Sequence, residues 1–280
     1  MLEYYDMHCH LGFCADAKQA ARDLAAVGVG AFSNTVTPAE YKEQRVTLAD
    51  SESVRVGVGL HPWWIGEDAR GDIEVAEPSA GGVRSAAAPL SAQDLDFDSL
   101  YEFAARDRFI GEAGLDFSPR RVATREAQVD ALTCIANACA RAGGKVLSIH
   151  AVNAVDDVLD ALESAGALAV DAGNACIIHW FSGTSDQLTR ARRLGCYFSV
   201  NPRMLASKRG RAYAQVIPAD KLLLETDFPS AAGAPWDAAE IRQTLETLTA
   251  DLARLRGEDP AQLREAVSRT SASLLQMPPH

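Results

Sequence analysis

Lys145-Val146-Leu147-Ser148-Ile149-His150 leads into a helical pattern that starts at Val155 and stops at Gly166. It is followed by Ala175-Cys176-Ile177-Ile178-His179. Both short runs are apolar on both faces rather than alternating, as strands of a parallel sheet covered on each side must be. Strand, helix and strand in this order make one βα repeat, and each strand ends on a histidine.

The same rhythm extends outward in both directions. Residues 4–8, 29–35, 54–60, 109–113, 197–200 and 221–225 read as further strands. Between them lie helical patterns. The one over 16–27 opens on an Asp cap, that over 38–50 begins with Pro38 at its first position, and that over 121–142 stops at Gly143-Gly144. Ile241, Leu245, Leu248, Leu252 and Leu255 form a stripe at steps of four and three, ended by Gly257, and Asp259-Pro260 starts a last helix. About eight β-then-α units predict a closed TIM-type (β/α)8 barrel in the α/β class. A doubly wound open sheet would carry a glycine-rich phosphate loop after its first strand, and none is present. The 280 residues fit one such barrel domain spanning 1–280. Residues 67–93, rich in Gly, Ala, Pro, Ser and acids, break the rhythm after the third strand. They read as an insertion on the active face, either a lid or a tolerated surface loop.

Composition narrows the function. Hydrophobic residues make up 48% and charged residues 23%, ordinary globular values. A net charge of -11 repels polyanions at long range, which argues against tight binding along extended nucleic acid. It says little about a short strand end held by metal ions. The 6 cysteines include no C-x-x-C pair and several lie in apolar stretches, which points to reduced thiols rather than a disulfide framework. Met1-Leu2-Glu3-Tyr4-Tyr5-Asp6 has no basic leader character, and no apolar run is long enough to span a bilayer. The expectation is a soluble cytoplasmic protein without membrane association or an obligate protein partner.

Five of the 6 histidines sit at or just beyond a strand's C-terminal end, the catalytic face of a barrel; the sixth, His280, is the last residue and is given no role. In His8-Cys9-His10 the two imidazoles share a side of the strand and can reach one ion, with Cys9 turned to the core. Taken singly, His61, His150 and His179 also fit structural roles. Glu112, in Gly111-Glu112-Ala113-Gly114-Leu115-Asp116, is a carboxylate in an apolar strand that needs a metal or a buried cation beside it. Asp227 follows Leu222-Leu223-Leu224-Glu225-Thr226 and is a candidate ligand and general base, while Glu225 is expected to face away. Together, two His on strand one, a Glu on strand four, His on strands five and six and an Asp on strand eight converge on one barrel mouth. That set can hold two divalent ions with Glu112 shared, the usual clamp for phosphate-ester hydrolysis. Imidazole and carboxylate without thiolate suit zinc, manganese or magnesium.

The ordered motifs His8-x-His10, Gly59-Leu60-His61-Pro62, Gly111–Asp116, Ile149-His150, His179-Trp180-Phe181-Ser182-Gly183 and Glu225-Thr226-Asp227-Phe228-Pro229 resemble the TatD family of metal-dependent hydrolases, in the amidohydrolase-like barrel superfamily. The resemblance runs from Met7 to Pro229. It implies a TIM-type barrel, two divalent ions and deoxyribonuclease activity, often 3′ exonucleolytic. It also implies that His8, His10, Glu112 and Asp227 hold one ion and that Glu112, His150 and His179 hold the other. Glu112 and Asp227 then carry the catalysis, and His61 lies near substrate. Two departures bear on the substrate. The family often has H-x-R after the fifth strand, where this chain reads His150-Ala151-Val152-Asn153, leaving Arg120, Arg121 or Arg203 to supply a cation. After His61-Pro62 the family commonly has a polar residue, where this chain has Trp63-Trp64.

The leading functional reading is a phosphodiesterase acting on DNA, as a single strand or at a 3′ end. Trp63, Trp64 and Trp180 stand beside site positions and fit base stacking as well as packing. The alternative is a metal-dependent hydrolase of a small ester, lactone or amide, since the same barrel serves that chemistry. A degenerate, non-enzymatic member would lack ligands that are all present here. Ser182 has no base beside it in the pattern and is not read as a nucleophile.

Overall fold

Every residue of Tyr4–Cys9 (β1) and Val29–Asn34 (β2) is buried, which explains why neither strand alternates polar with apolar. The computed structural model describes residues 2–66 and 96–277. The insertion expected over 67–93 and His280 lie outside these residues. The other strands are Val54–Leu60 (β3), Phe109–Asp116 (β4), Val146–Val152 (β5), Ala175–His179 (β6), Tyr197–Val200 (β7) and Leu222–Leu224 (β8). They pair in parallel and in chain order, β1 through β8.

The seam is closed by backbone beyond the last strand. The Asp227 N–H donates to the His8 carbonyl and the His10 N–H to the Phe228 carbonyl, both at 2.9 Å. Eight parallel strands alternating with helices thus form a nearly closed barrel.

Local chemistry sets the helix ends. Asp16 caps Ala17–Ala26 (α1) and Thr37 caps Pro38–Thr47 (α2). Phe97–Arg106 (α3), Arg125–Ala142 (α4) and Val155–Ser164 (α5) follow. Ser185–Arg193 (α6) opens on a reciprocal Thr184–Gln187 capping box. Pro202–Ala206 (α7) and Lys208–Val216 (α8) lie between β7 and β8. Ala238–Arg256 (α9) buries the predicted stripe at Ile241, Leu245, Leu248 and Leu252 and ends at Gly257, and Pro260–Leu275 (α10) starts from the Asp259 cap. None of the described helices is long and apolar enough to cross a membrane.

Strand ends differ from the sequence reading where the site is built. β4 runs to Asp116 and β5 to Val152, because these two strands keep pairing as far as Asp116↔Val152. The helix expected from 121 starts at Arg125. The Arg121 carbonyl is instead taken by Gln128 Nε2 and the Thr124 hydroxyl.

One apolar cluster joins Tyr5 and Met7 of β1, Phe32 of β2, Val146 of β5, Ile177 of β6 and Leu223 of β8. Strands on opposite sides of a barrel meet only through its interior, so this is the packed barrel centre. Side chains two residues further along share that inward face. His179 follows Ile177, Ser148 and His150 follow Val146, and Glu225 and Asp227 follow Leu223. The site therefore stands directly above an apolar floor.

Glycine is required where the strands crowd at this level. A Cβ on Gly59 would lie 1.6 Å from the Thr35 carbonyl oxygen. One on Gly114, whose φ is +147°, would lie 2.0 Å from that of His150. Backbone cannot yield as a flexible side chain does, so Gly59→Ala should destabilise the protein by about 3 kcal/mol. Denaturant unfolding checks this, and an unchanged midpoint would show that the β2–β3 approach tolerates a methyl group.

Candidate metal centre

The pairing register slips between Asp6 and Cys9, between Val58 and Leu60, and between Ile110 and Ala113. Such irregularities re-aim side chains near sites. Here they fall at His8, Gly59 and Gly111-Glu112.

The result is one carboxylate ringed by five imidazoles. Glu112 Oε2 lies 3.1 Å from His8 Nε2 and 3.4 Å from His10 Nε2. Its Oε1 lies 2.8 Å from His150 Nδ1, 3.0 Å from His179 Nε2 and 3.1 Å from His61 Nε2. Asp227 Oδ1 is 3.4 Å from His10 Nε2 and 3.8 Å from His8 Nε2. Its positive φ of 61° and its N–H bond to His8 hold it at the seam. Three groups bring ligand atoms within 4.8 Å of one another: His8 with His10 and Asp227; His8 with Glu112 and His179; and His61 with Glu112 and His150.

The outer ring nitrogens decide what each imidazole offers inward. His10 Nδ1 faces the Asn34 carbonyl at 3.1 Å and must donate, so Nε2 is the nitrogen that offers a lone pair once the ring is neutral. His179 Nδ1 faces Glu225 Oε1 at 3.6 Å, and His150 Nε2 faces Asp116 Oδ2 at 3.4 Å. These carboxylates make His179 Nε2 and His150 Nδ1 the nitrogens that offer inward lone pairs once the rings are neutral. His8 Nδ1 pairs with the Ser148 hydroxyl at 2.7 Å, so the same arrangement is open to it. His61 is different: its Nδ1 accepts the Trp63 N–H at 3.0 Å. The neutral His61 ring therefore carries its proton on Nε2 and points a donor, not a lone pair, at Glu112.

Charge follows from this packing. Burial alone would raise the Glu112 carboxyl, but His61, His8 and His179 hold it well below the usual carboxylate range. Burial also opposes ionisation of Asp227, yet its bond to His10 and the charge of neighbouring imidazoles hold it at about 2. Burial would lower His10, but Asp227 and Glu112 raise it to about 10. Burial prevails at His61 and pushes it down to about 4, so it is neutral at pH 7.

His8 Nε2 and His10 Nε2 sit 3.3 Å apart, with two carboxylates alongside. Inward lone pairs and carboxylate oxygens this close need protons or cations between them, and the buried N/O donor set fits a divalent metal. An entering ion must displace the protons on His10 and His179. Metal binding should therefore release protons and tighten as pH rises from 6 toward 10. Calorimetry in buffers of different ionisation enthalpy measures this, and binding that is independent of pH would contradict it.

The cluster forms the base of a cavity of about 530 Å³. His61, Trp63, Trp64, Trp180, Ser182 and Arg203 line it. Among the described residues, Arg203 is its one lysine or arginine. Trp180 has a positive φ of 41°, and the Arg203 guanidinium lies 5.4 Å from its ring centre. Trp64 is buried against Phe13 and Val36, which is the packing role.

Two acids near the centre were misjudged or overlooked in the sequence. Glu225 does not face away. It is fully buried, accepts from the Ser199 hydroxyl and Asn201 Nδ2, and meets His179. Residues 223, 225 and 227 share the inward face, so spacing by two was the signal. Asp116, the last residue of the Gly111–Asp116 motif, accepts from Trp63 Nε1 at 2.6 Å and faces His150. Glu225→Gln should weaken metal affinity about 10–100-fold without removing a ligand. A metal titration tests this, and unchanged affinity would show that the hold on His179 is irrelevant.

The family model for TatD related DNases matches residues 5–276. The chain belongs to the TatD-related DNase family. The "3'-5' ssDNA/RNA exonuclease TatD" of Cronobacter sakazakii is 31% identical over 173 residues, 59% of this chain and 64% of that protein. That match spans less than two thirds of the exonuclease. The "Putative deoxyribonuclease TATDN3" of Mus musculus is 25% identical over 96% of this chain and 87% of its own length. A TatD family hydrolase of Entamoeba histolytica shares the fold with a TM-score of 0.70 at 13% identity, covering 98% of each chain.

Proposed function

We propose that this chain is a divalent-metal-dependent phosphodiesterase, a 3′ exonuclease-like deoxyribonuclease acting on single-stranded ends. The observation that carries the reading is Glu112, a buried carboxylate enclosed by five imidazoles with Asp227 beside it, in a chain of the TatD-related DNase family. The names of its relatives support nucleic acid as substrate.

His8, His10, Glu112 and Asp227 would hold one ion, and Glu112, His150 and His179 a second, of zinc, manganese or magnesium. When bound, such ions lower the pKa of water and neutralise charge on a phosphate. Asp227, ionised and partly exposed on the cavity wall, takes the proton of the attacking water. Neutral His61 donates from Nε2 to a phosphate oxygen, the role its tautomer fits. Arg203, exposed and without an ion pair to a described residue, supplies the cation that H-x-R provides elsewhere, and Trp180 beside it contacts substrate.

The net charge of -11 favours a short strand end over a long duplex track. The ligands come from one chain, in keeping with a single barrel domain over 1–280. Six free thiols and the lack of a membrane-crossing helix among the described residues fit a cytoplasmic setting.

The test is hydrolysis of single-stranded DNA, labelled at either end, by metal-stripped protein given magnesium, manganese or zinc. Stepwise loss from the 3′ end with at least one ion is expected. No cleavage with any ion would overturn the reading and favour a small ester, lactone or amide.

A further inference from the structure

The turn Pro62–Trp64 buries one indole and leaves the other exposed. Trp64 is 5% exposed, while Trp63 is 40% exposed on the cavity wall. An exposed indole is usually free to change rotamer, but this one is fixed. Its Nε1–H donates to Asp116 Oδ2 at 2.6 Å. The Arg121 guanidinium lies over the ring, 5.3 Å from its centre. The rings of His61 and His150 stand roughly perpendicular to it, at 5.2 and 6.3 Å.

We propose that Trp63, held by Asp116 and backed by Arg121, is a stacking subsite for an unpaired nucleobase beside the metal centre. This deepens the phosphodiesterase reading and rests on it. Three features support the subsite. The indole is pre-organised, so stacking on it costs little side-chain entropy. Arg121 lies over the ring, and the 40% exposed Trp63 lines the same cavity wall as His61 and His150. Its one polar atom is already committed to Asp116, so it has no donor left to read a base edge.

The subsite therefore recognises the flat face that all bases share and not their identity. A base paired and stacked in a duplex end cannot offer that face. Trp63 accordingly selects unpaired ends while tolerating any sequence. Because Asp116 touches both Trp63 and His150, a base seated on the indole is set in fixed register with the reacting phosphate. Trp63 is a specificity residue and Asp116 a positioning residue.

The experiment uses the metal-loaded protein and oligonucleotides that are complete or carry an abasic nucleotide at either of the last two 3′ positions. The wild type should lose about tenfold in kcat/KM, mainly through KM, when the stacked base is missing. It should treat the four bases alike within a few fold. Trp63→Ala should be slow on the complete strand and indifferent to the abasic one. Trp63→Phe keeps a ring and should retain most of the preference. Metal content is measured for each variant, since a loss confined to the indole leaves it unchanged. If the wild type cleaves complete and abasic strands equally, or Trp63→Ala still discriminates, the subsite is overturned while the phosphodiesterase reading stands. If the wild type cleaves no oligonucleotide, both fall.

Discussion

Glu112→Gln should lower kcat by about 10³-fold or more while leaving the barrel folded. The substitution keeps size and shape but removes the charge that two sets of imidazoles face. A metal centre supplies several kcal/mol of transition-state stabilisation, and each 1.36 kcal/mol is tenfold in rate. The fold should survive because the apolar cluster of Tyr5, Met7, Phe32, Val146, Ile177 and Leu223 is separate from the site. Steady-state rates on single-stranded DNA, with circular dichroism of the same preparation, measure both halves. Near wild-type turnover by Glu112→Gln would contradict the role given to this carboxylate.

Asp227→Asn should cost about 10²–10⁴-fold in kcat, the usual worth of a positioned general base. The asparagine keeps the backbone bond from residue 227 to the His8 carbonyl, so the seam persists. It loses the anion facing His10 and His8. The His10 pKa, raised to about 10 by Asp227 and Glu112 together, should fall in the variant. Rates and His10 titration by NMR read the two effects. An unchanged kcat would assign proton removal elsewhere.

The barrel was legible because buried parallel strands write themselves as short apolar runs, and helix stops as Gly143, Gly166 and Gly257. The strand ends were less so. Extension of β4 to Asp116 depends on pairing with β5, a partner more than thirty residues away. The clustering of His8, His10, Glu112, His150, His179 and Asp227 follows from histidines or acids at the tops of β1, β4, β5, β6 and β8. Glu225 was misplaced although period-two spacing from Leu223 put it inward. The outward partners of the imidazoles, Ser148, Asn34 and Asp116, depend on neighbouring strands and have no local pattern. The same holds for the His61 tautomer, which is set by the Trp63 N–H in a turn of three residues.

In the proposed mechanism Glu112 unites two metal positions. Metal stoichiometry after dialysis against manganese or zinc, by elemental analysis of wild type and Glu112→Gln, tests this. Two ions per chain in the wild type, and one or none in the variant, is the predicted result. Two ions bound with unchanged affinity in Glu112→Gln would contradict it.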